Sequence, residues 1–456
     1  MIADGPSRTG DRGRPRSPPR TTRGTIPPPE GGGARSRASG EPGGGYPVIA
    51  DGSSRAGARG AAPGRRAPGS ERRSLRGSIR PPPEGEGREA ARRAWGPVSD
   101  LRVLGVGAGY FSQFQYLGWR NIASVECVGI ANRDAGKARA LADRYGIRDV
   151  YTDLAAALDA TRPDLVDIIT PPETHRPFVA LCVDRGIPAI CQKPFGRDWA
   201  DAVAITGHAE RAGVPLVIHE NFRWEPWYRE AKRLIDAGVL GALHGVAFRL
   251  RPGDGQGPRA YLDRQPYFQQ MPLFLVKETA IHWIDTFRFL MGDVTAVYAQ
   301  LRRINPAIAG EDAGYIVFEF AGGATGLFDG NRLNDHVAQN PRRTMGEAWI
   351  EGERGVLRLD GDARLWWKPH HGPETEHAYD RGPDDTFGGG ACEWLQRHVV
   401  AHFRSGAPLE NTARAYLANL LVQAAVYRSA ATHRRVELAT FDPLQPAAPD
   451  AGTASA

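Results

Sequence analysis

Two stretches of this chain carry residues able to handle protons. Lys193 follows a short apolar run, Ile187 to Cys191, in IPAICQKPFGR. The run predicts a buried strand, and a lysine at its C-terminal end stands where open α/β sheets keep their ligands. Pro194 removes one backbone donor and biases Lys193 toward an extended conformation. Further on, Glu278, His282 and Asp285 fall at i, i+4 and i+7, which predicts one face of a single helix starting near Glu278. Ile281, Ile284, Phe287 and Phe289 give that helix an apolar body, and three ionisable groups upon it are costly to bury without purpose. Imidazole titrates near working pH and suits acid–base work. The competing reading is plain: a strand-end lysine and a polar helix face, both in solvent.

The elements upstream supply a place for a cofactor. Leu101 to Val106 reads as a strand and runs into Gly107, Ala108, Gly109, Tyr110, Phe111 and Ser112, followed by a helix. This G-x-G-x-x-S turn allows close backbone approach, and the helix N-terminus favours a pyrophosphate. A second strand ends at Asn132-Arg133, 20 residues past Ser112, where an acid would hold an adenine ribose. With no acid there and Arg133 beside it, NADP is favoured over NAD. A middle strand, PDLVDIIT, ends at Thr170, Pro171 and Pro172, with His175 just beyond. The alternation of strands and helices predicts a Rossmann-type, doubly wound parallel sheet over 98–220, with Gly107, Asn132, Thr170, Gln192, Lys193 and Asn221 along one rim. Residues 221–440 predict an α+β domain with a large, mainly antiparallel open sheet. One face of it is expected to be buried in a homodimer or homotetramer. The glycine-rich segment Arg249 to Tyr267 carries Arg249, Arg251, Arg259 and Arg264, and is read either as a solvated loop or as a cover whose arginines pair with an anionic substrate group.

Taken together, GAGYFS, DIITPPETH, CQKP, HENFRWEPW and KETAIHWIDTFRFLMG resemble the Gfo/Idh/MocA family of nicotinamide-dependent oxidoreductases, over about residues 100 to 435. The resemblance implies hydride transfer between NADP or NAD and a secondary alcohol or ketone of a sugar, cyclitol or sugar acid. It implies Lys193 between nicotinamide and the substrate hydroxyl, His282 as general base, and Glu278 and Asp285 orienting the substrate or His282. Cofactor contacts are expected from Gly107, Gly109, Tyr110, Phe111, Ser112, Asn132, Arg133, Thr170, Pro171, Pro172, His175, Gln192 and Lys193. Substrate contacts are expected from Asn221, Arg223, Arg249, Glu278, His282 and Asp285. Two departures stand out: Gln192 where the family signature E-K-P has an acid, and Glu278 where D-x-x-x-H has aspartate. The rival readings are a non-catalytic nicotinamide-binding sensor, and glycoside cleavage through transient oxidation in the same site.

Composition limits the partners. Residues 1–97 hold nineteen arginines, no lysine and nine acids, while the rest carries 39 basic and 43 acidic residues. The basic balance thus belongs to the arm, and a whole-protein argument for nucleic acid is misplaced. The arm is poor in apolar residues and internally repetitive (RGTIPPPEG, RGSIRPPPEG), which predicts disorder or a start placed too far upstream; a third reading, a nucleic-acid or membrane-surface arm, is weakened by its lack of interleaved aromatics. Cys127, Cys182, Cys191 and Cys392 lack any metal-ligand spacing, so no metal is expected and a reducing cytoplasm is. No apolar run is long enough to span a membrane. Residues 441–456 are expected to form a frayed tail.

Overall fold

The computed structural model describes residues 100–445. The expectations for the arm and for the last part of the tail lie outside the described residues. Six strands build the first sheet: β1 (Leu101–Val106), β2 (Val125–Ala131), β3 (Val150–Tyr151), β4 (Leu165–Ile168), β5 (Ala189–Gln192) and β6 (Leu216–His219). Between them run α1 (Ser112–Arg120), α2 (Ala135–Tyr145), α3 (Leu154–Thr161), α4 (His175–Val183) and α5 (Trp199–Arg211). Every pairing is parallel, in the order β3-β2-β1-β4-β5-β6. The order reverses between β1 and β4, the crevice where such sheets hold ligands. Asp134, Asp153 and Asp198 start α2, α3 and α5 by accepting the backbone N–H of Lys137, Ala156 and Asp201. Each satisfies a helix-end donor that has no partner within its own helix.

After α6 (Pro226–Asp236) comes a nine-stranded sheet. Its members are β7 (Leu243–Leu250), β8 (Val294–Arg302), β9 (Ala313–Phe320), β10 (Thr325–Asn331), β11 (Gly346–Gly352), β12 (Gly355–Leu359), β13 (Leu365–Pro369), β14 (Thr375–His377) and β15 (Val436–Glu437). The order is β14-β13-β12-β11-β7-β10-β9-β8-β15, antiparallel except for β7 with β10. Helix α7 (Ile281–Met291) precedes β8, and α8 (Ala391–Ser405) and α9 (Ala413–Thr432) follow β14. Phe248, Ile316, Phe328 and Leu359 point from this sheet into the main core. Helix α8 does something else: its Leu395, Val399 and Val400 pack with Val103, Leu165, Ile190 and Val217 of the first sheet. No helix among the described residues is long and apolar enough to cross a membrane.

One expectation fails in detail. Glu278, His282 and Asp285 do not share one regular helix. Leu275–Ala280 form a wide π turn, and the α-helix begins only at Ile281. The extra residue per turn shifts the phase, so the three side chains meet three different partners.

Candidate active site

The first sheet's C-terminal rim and the second sheet's π turn enclose a cavity of about 770 Å³. Gly109, Tyr110, Phe111, Thr170, Pro171, Pro172, Gln192, Lys193 and Asn221 line it from one side, with Glu278, His282, Tyr267 and Arg332 from the other. Lys193 sits just past β5, where the buried strand delivers it to the rim. Its Nζ donates to Glu278 Oε1 and to the Glu278 carbonyl, both at 2.8 Å. The two side chains are only 12% and 10% exposed, so the pair is largely shielded from solvent.

His282 has a different neighbour. Its ring lies flat on Phe222, 3.8 Å between centroids, and its Nδ1 is 2.5 Å from Glu220 Oε1. Tyr416 donates to the other Glu220 oxygen at 3.1 Å. Burial pushes the Glu220 carboxyl up to about 7, partly offset by the charge of Lys193. Burial and then Lys193 hold His282 well below the ordinary imidazole range. Burial thus favours the neutral form of both partners and moves the Glu220 carboxyl toward neutral pH. With Glu220 ionised, the Nδ1–H donates to it and Nε2 is left as a lone-pair acceptor.

The residues also fit a nicotinamide dinucleotide. Helix α1 opens onto the cavity with its N-terminus, and a Cβ at Gly109 would meet no atom within 4 Å, so the turn leaves room for a bulky group. Gly107 has φ +119°, and a Cβ there would come within 2.6 Å of the Ile169 carbonyl, which demands glycine. Ser112 donates to the Gly109 carbonyl at 2.6 Å and shapes the turn rather than lining the cavity. Asn132 and Arg133 follow the end of β2, with Arg133 exposed and Asn132 donating to the Asp134 carbonyl.

Four further expected contacts lie elsewhere. His175 is fully buried behind the rim: Nε2 meets the Thr170 carbonyl at 2.8 Å and Nδ1 accepts from Gly196 at 3.3 Å. Burial lowers its pKa to about 4, so it is a neutral brace for the Thr170 turn. Arg223 and Asp285 take each other in a two-pronged pair at 2.7 and 2.6 Å, and Asn419 also donates to Asp285. Both lie off the cavity lining because a buried charge is held by its nearest opposite charge. Arg249 is half exposed and reaches Asp329 at 3.8 Å, also away from the cavity.

Of the loop arginines, Arg264 alone lines the cavity. Arg251 pairs with Asp329, and Arg259 with Asp263. Arg264 and the buried Arg332 both grip Asp254, and Arg332 lies among the rings of Tyr261, Phe274 and Phe268 at 5.1, 5.1 and 5.7 Å. Arg264 in turn sits over the Tyr110 ring at 5.8 Å. The loop is thereby tied down on one side and touches the glycine turn on the other. Glu220, Tyr267 and Arg332 were missed from the sequence. An acid closing the apolar strand LVIHE was the available signal for Glu220; nothing local marked the other two.

Comparison with known proteins agrees with this geometry. The model of an oxidoreductase family with an NAD-binding Rossmann fold matches residues 101–220, and that of the GFO/IDH/MocA C-terminal domain matches residues 228–358. The chain is 35% identical over 353 residues to a D-apiose dehydrogenase of Paraburkholderia graminis, covering 75% of this chain and 91% of the relative. It is 32% identical over 205 residues to inositol 2-dehydrogenase 4 of Saccharopolyspora erythraea, covering 43% and 56%. A solved oxidoreductase of Agrobacterium radiobacter, in complex with NAD+, L-tartaric acid and magnesium, superposes with a TM-score of 0.69 at 29% identity, covering 75% of this chain and 99% of that one.

Proposed function

The chain belongs to the GFO/IDH/MocA oxidoreductase family and is a nicotinamide-dependent dehydrogenase acting on CH–OH groups; we propose that its substrate is a sugar, with D-apiose the first compound to test. The observation that carries the reading is the pairing across the cavity of Lys193, backed by Glu278, with His282, backed by Glu220. Bound nicotinamide supplies the hydride acceptor. In alcohol oxidation His282 Nε2 takes the hydroxyl proton, and Glu220 keeps the opposite nitrogen protonated. Lys193 Nζ donates to the substrate oxygen and stabilises its alkoxide character. Glu278 holds Lys193 toward the cavity and has a second carboxylate oxygen to accept from a neighbouring hydroxyl, and Asn221 lines the same cavity. Residues 98–220 serve as the dinucleotide-binding unit, and 221–440 as the unit for substrate and self-association. A panel of aldoses, cyclitols and their acids, assayed with NAD+ and NADP+, tests this. Absence of turnover on every member, despite cofactor binding, would sink it.

NADP is the preferred cofactor in this reading, because no carboxylate occupies the Asn132 position and Arg133 is free to meet a 2′-phosphate. Arg133→Ala is expected to weaken NADP+ binding about 10-fold and to leave NAD+ within about two-fold. Titration of each cofactor by fluorescence checks this, and equal weakening of both would remove the preference.

The protein is also read as a cytoplasmic homo-oligomer, supported by four unpaired cysteines and by the outer face of the second sheet. There Tyr298, Val317, Leu327, Ala247 and Trp349 stand in register across five strands, with Val317 and Leu327 solvent-exposed in the single chain. A second copy would cover this row. Val317→Arg combined with Leu327→Arg is expected to halve the mass measured by light scattering. An unchanged mass would place the contact elsewhere.

A further inference from the structure

Behind Lys193 lies a line of hydrogen bonds that all point the same way. The Lys193 backbone N–H donates to Gln192 Oε1 at 2.7 Å. Gln192 Nε2 donates to Gln115 Oε1 at 2.7 Å. Gln115 Nε2 donates to both oxygens of Asp167, at 2.8 and 2.9 Å, and Trp119 Nε1 donates to Asp167 at 2.7 Å. The two ends fix the sense of the line. A backbone N–H only donates and an ionised carboxylate only accepts, so neither amide between them turns over without opposing two donors or two acceptors. Gln115, Trp119 and Asp167 have no exposed surface and Gln192 has 7%, so bulk solvent does not repair a mismatch.

An acid in the middle of β4, between Val166 and Ile168, is expensive. Burial raises the Asp167 carboxyl to about 6, against hydrogen bonds from Trp119, Gln115 and Gln396 that lower it. The sheet needs no such group for its core. We propose that Asp167 is a positioning residue for the dehydrogenase reaction: as a fixed acceptor it sets the polarity of Gln115 and Gln192, which clamp the Lys193 backbone and so aim its Nζ into the cavity. This rests on the role of Lys193 given above. It also accounts for glutamine at position 192, since a second carboxylate there would compete with Asp167 for the one amide group of Gln115.

The line has a property that a merely structural group lacks: it is reversible as a whole. In Asp167→Asn, the new amide donates to Gln115 Oε1, both glutamines turn over, and Gln192 presents an NH2 to the Lys193 N–H. In Gln192→Glu, Gln115 faces carboxylates on both sides. In the double variant the reversed line is satisfied again, because Gln115 donates to the new carboxylate and that carboxylate accepts from Lys193.

The test uses the full chain, D-apiose with NAD+ and NADP+, and amide hydrogen exchange of the segment containing Lys193, which needs no substrate. Each single variant is expected to lower kcat about 10- to 100-fold with KM within about two-fold, the cost of a slightly misaimed group, and to speed Lys193 exchange. The double variant recovers both. Wild-type kcat and exchange in Asp167→Asn, or a double variant no better than its worse parent, would overturn the proposal. Lys193→Ala, measured alongside, keeps the two ideas apart. If it is inactive while Asp167→Asn is normal, only the relay falls. If it is fully active, the role of Lys193 itself falls.

Discussion

Lys193→Ala is expected to lower kcat about 100- to 1,000-fold, the usual cost of removing one donor from a developing oxyanion. KM and cofactor affinity should change far less, because the lysine's main contacts in the free protein are to Glu278 rather than to the glycine turn. The substitution also leaves Glu278, 10% exposed, without its cation, and an unpaired buried carboxylate is destabilising in its own right. Lys193→Ala with Glu278→Gln separates the two effects: the melting temperature should recover while the rate does not. Initial rates and thermal melts on the same samples decide the matter. A single variant within ten-fold of the parent rate would remove Lys193 from the chemistry.

Glu220→Gln should be comparably severe, through the tautomer of His282. A carboxylate holds the proton on Nδ1 and frees Nε2, whereas an amide can donate to Nδ1 and leave the proton on Nε2. The base is then facing the cavity with nothing to accept with, at an expected loss of about 1,000-fold or more. The same pair sets the pH dependence. Glu220 must be ionised for His282 to act as a base, and burial raises its pKa to about 7. Alcohol oxidation should therefore rise as pH increases through about 7 and level off above it, with the limb lost in Glu220→Gln. A parent profile flat between pH 6 and 8 would count against Glu220 as the titrating group.

The first sheet and its rim were legible because short apolar runs and glycine turns are local signals. Lys193, Thr170 and Asn221 line the cavity at the strand ends where they were expected, and Gly107 makes the tight turn just before the lining Gly109. What failed was the assignment of partners. Glu278, His282 and Asp285 looked like one face under a 3.6-residue period, and the π turn at Leu275–Ala280 broke that period. Arg223 and Asp285, 62 residues apart, were free to be read as substrate ligands because nothing in either segment announces the other. Asp167 was visible as an acid inside PDLVDIIT, yet its meaning depends on Gln115 and Gln192, 52 residues upstream and 25 downstream. Pairing of charges across distant segments is decided by packing, and spacing along the chain does not encode it.

The placement of α8 has a bearing on how the chain is made. Val103, Leu165, Ile190 and Val217 belong to strands finished by residue 219, but the surface that covers them, Leu395, Val399 and Val400, lies some 180 residues later. Gln396 even donates to the backbone of Gln115, inside the first nucleotide-binding turn's own helix. During synthesis the parallel sheet therefore emerges with part of one apolar face covered only by Trp119, Ile122 and Trp224, and the rest waits until nearly the whole second sheet has left the ribosome. The late helix α8 closes this part of the first sheet, so the crevice and Lys193 acquire their final setting only after it has been made.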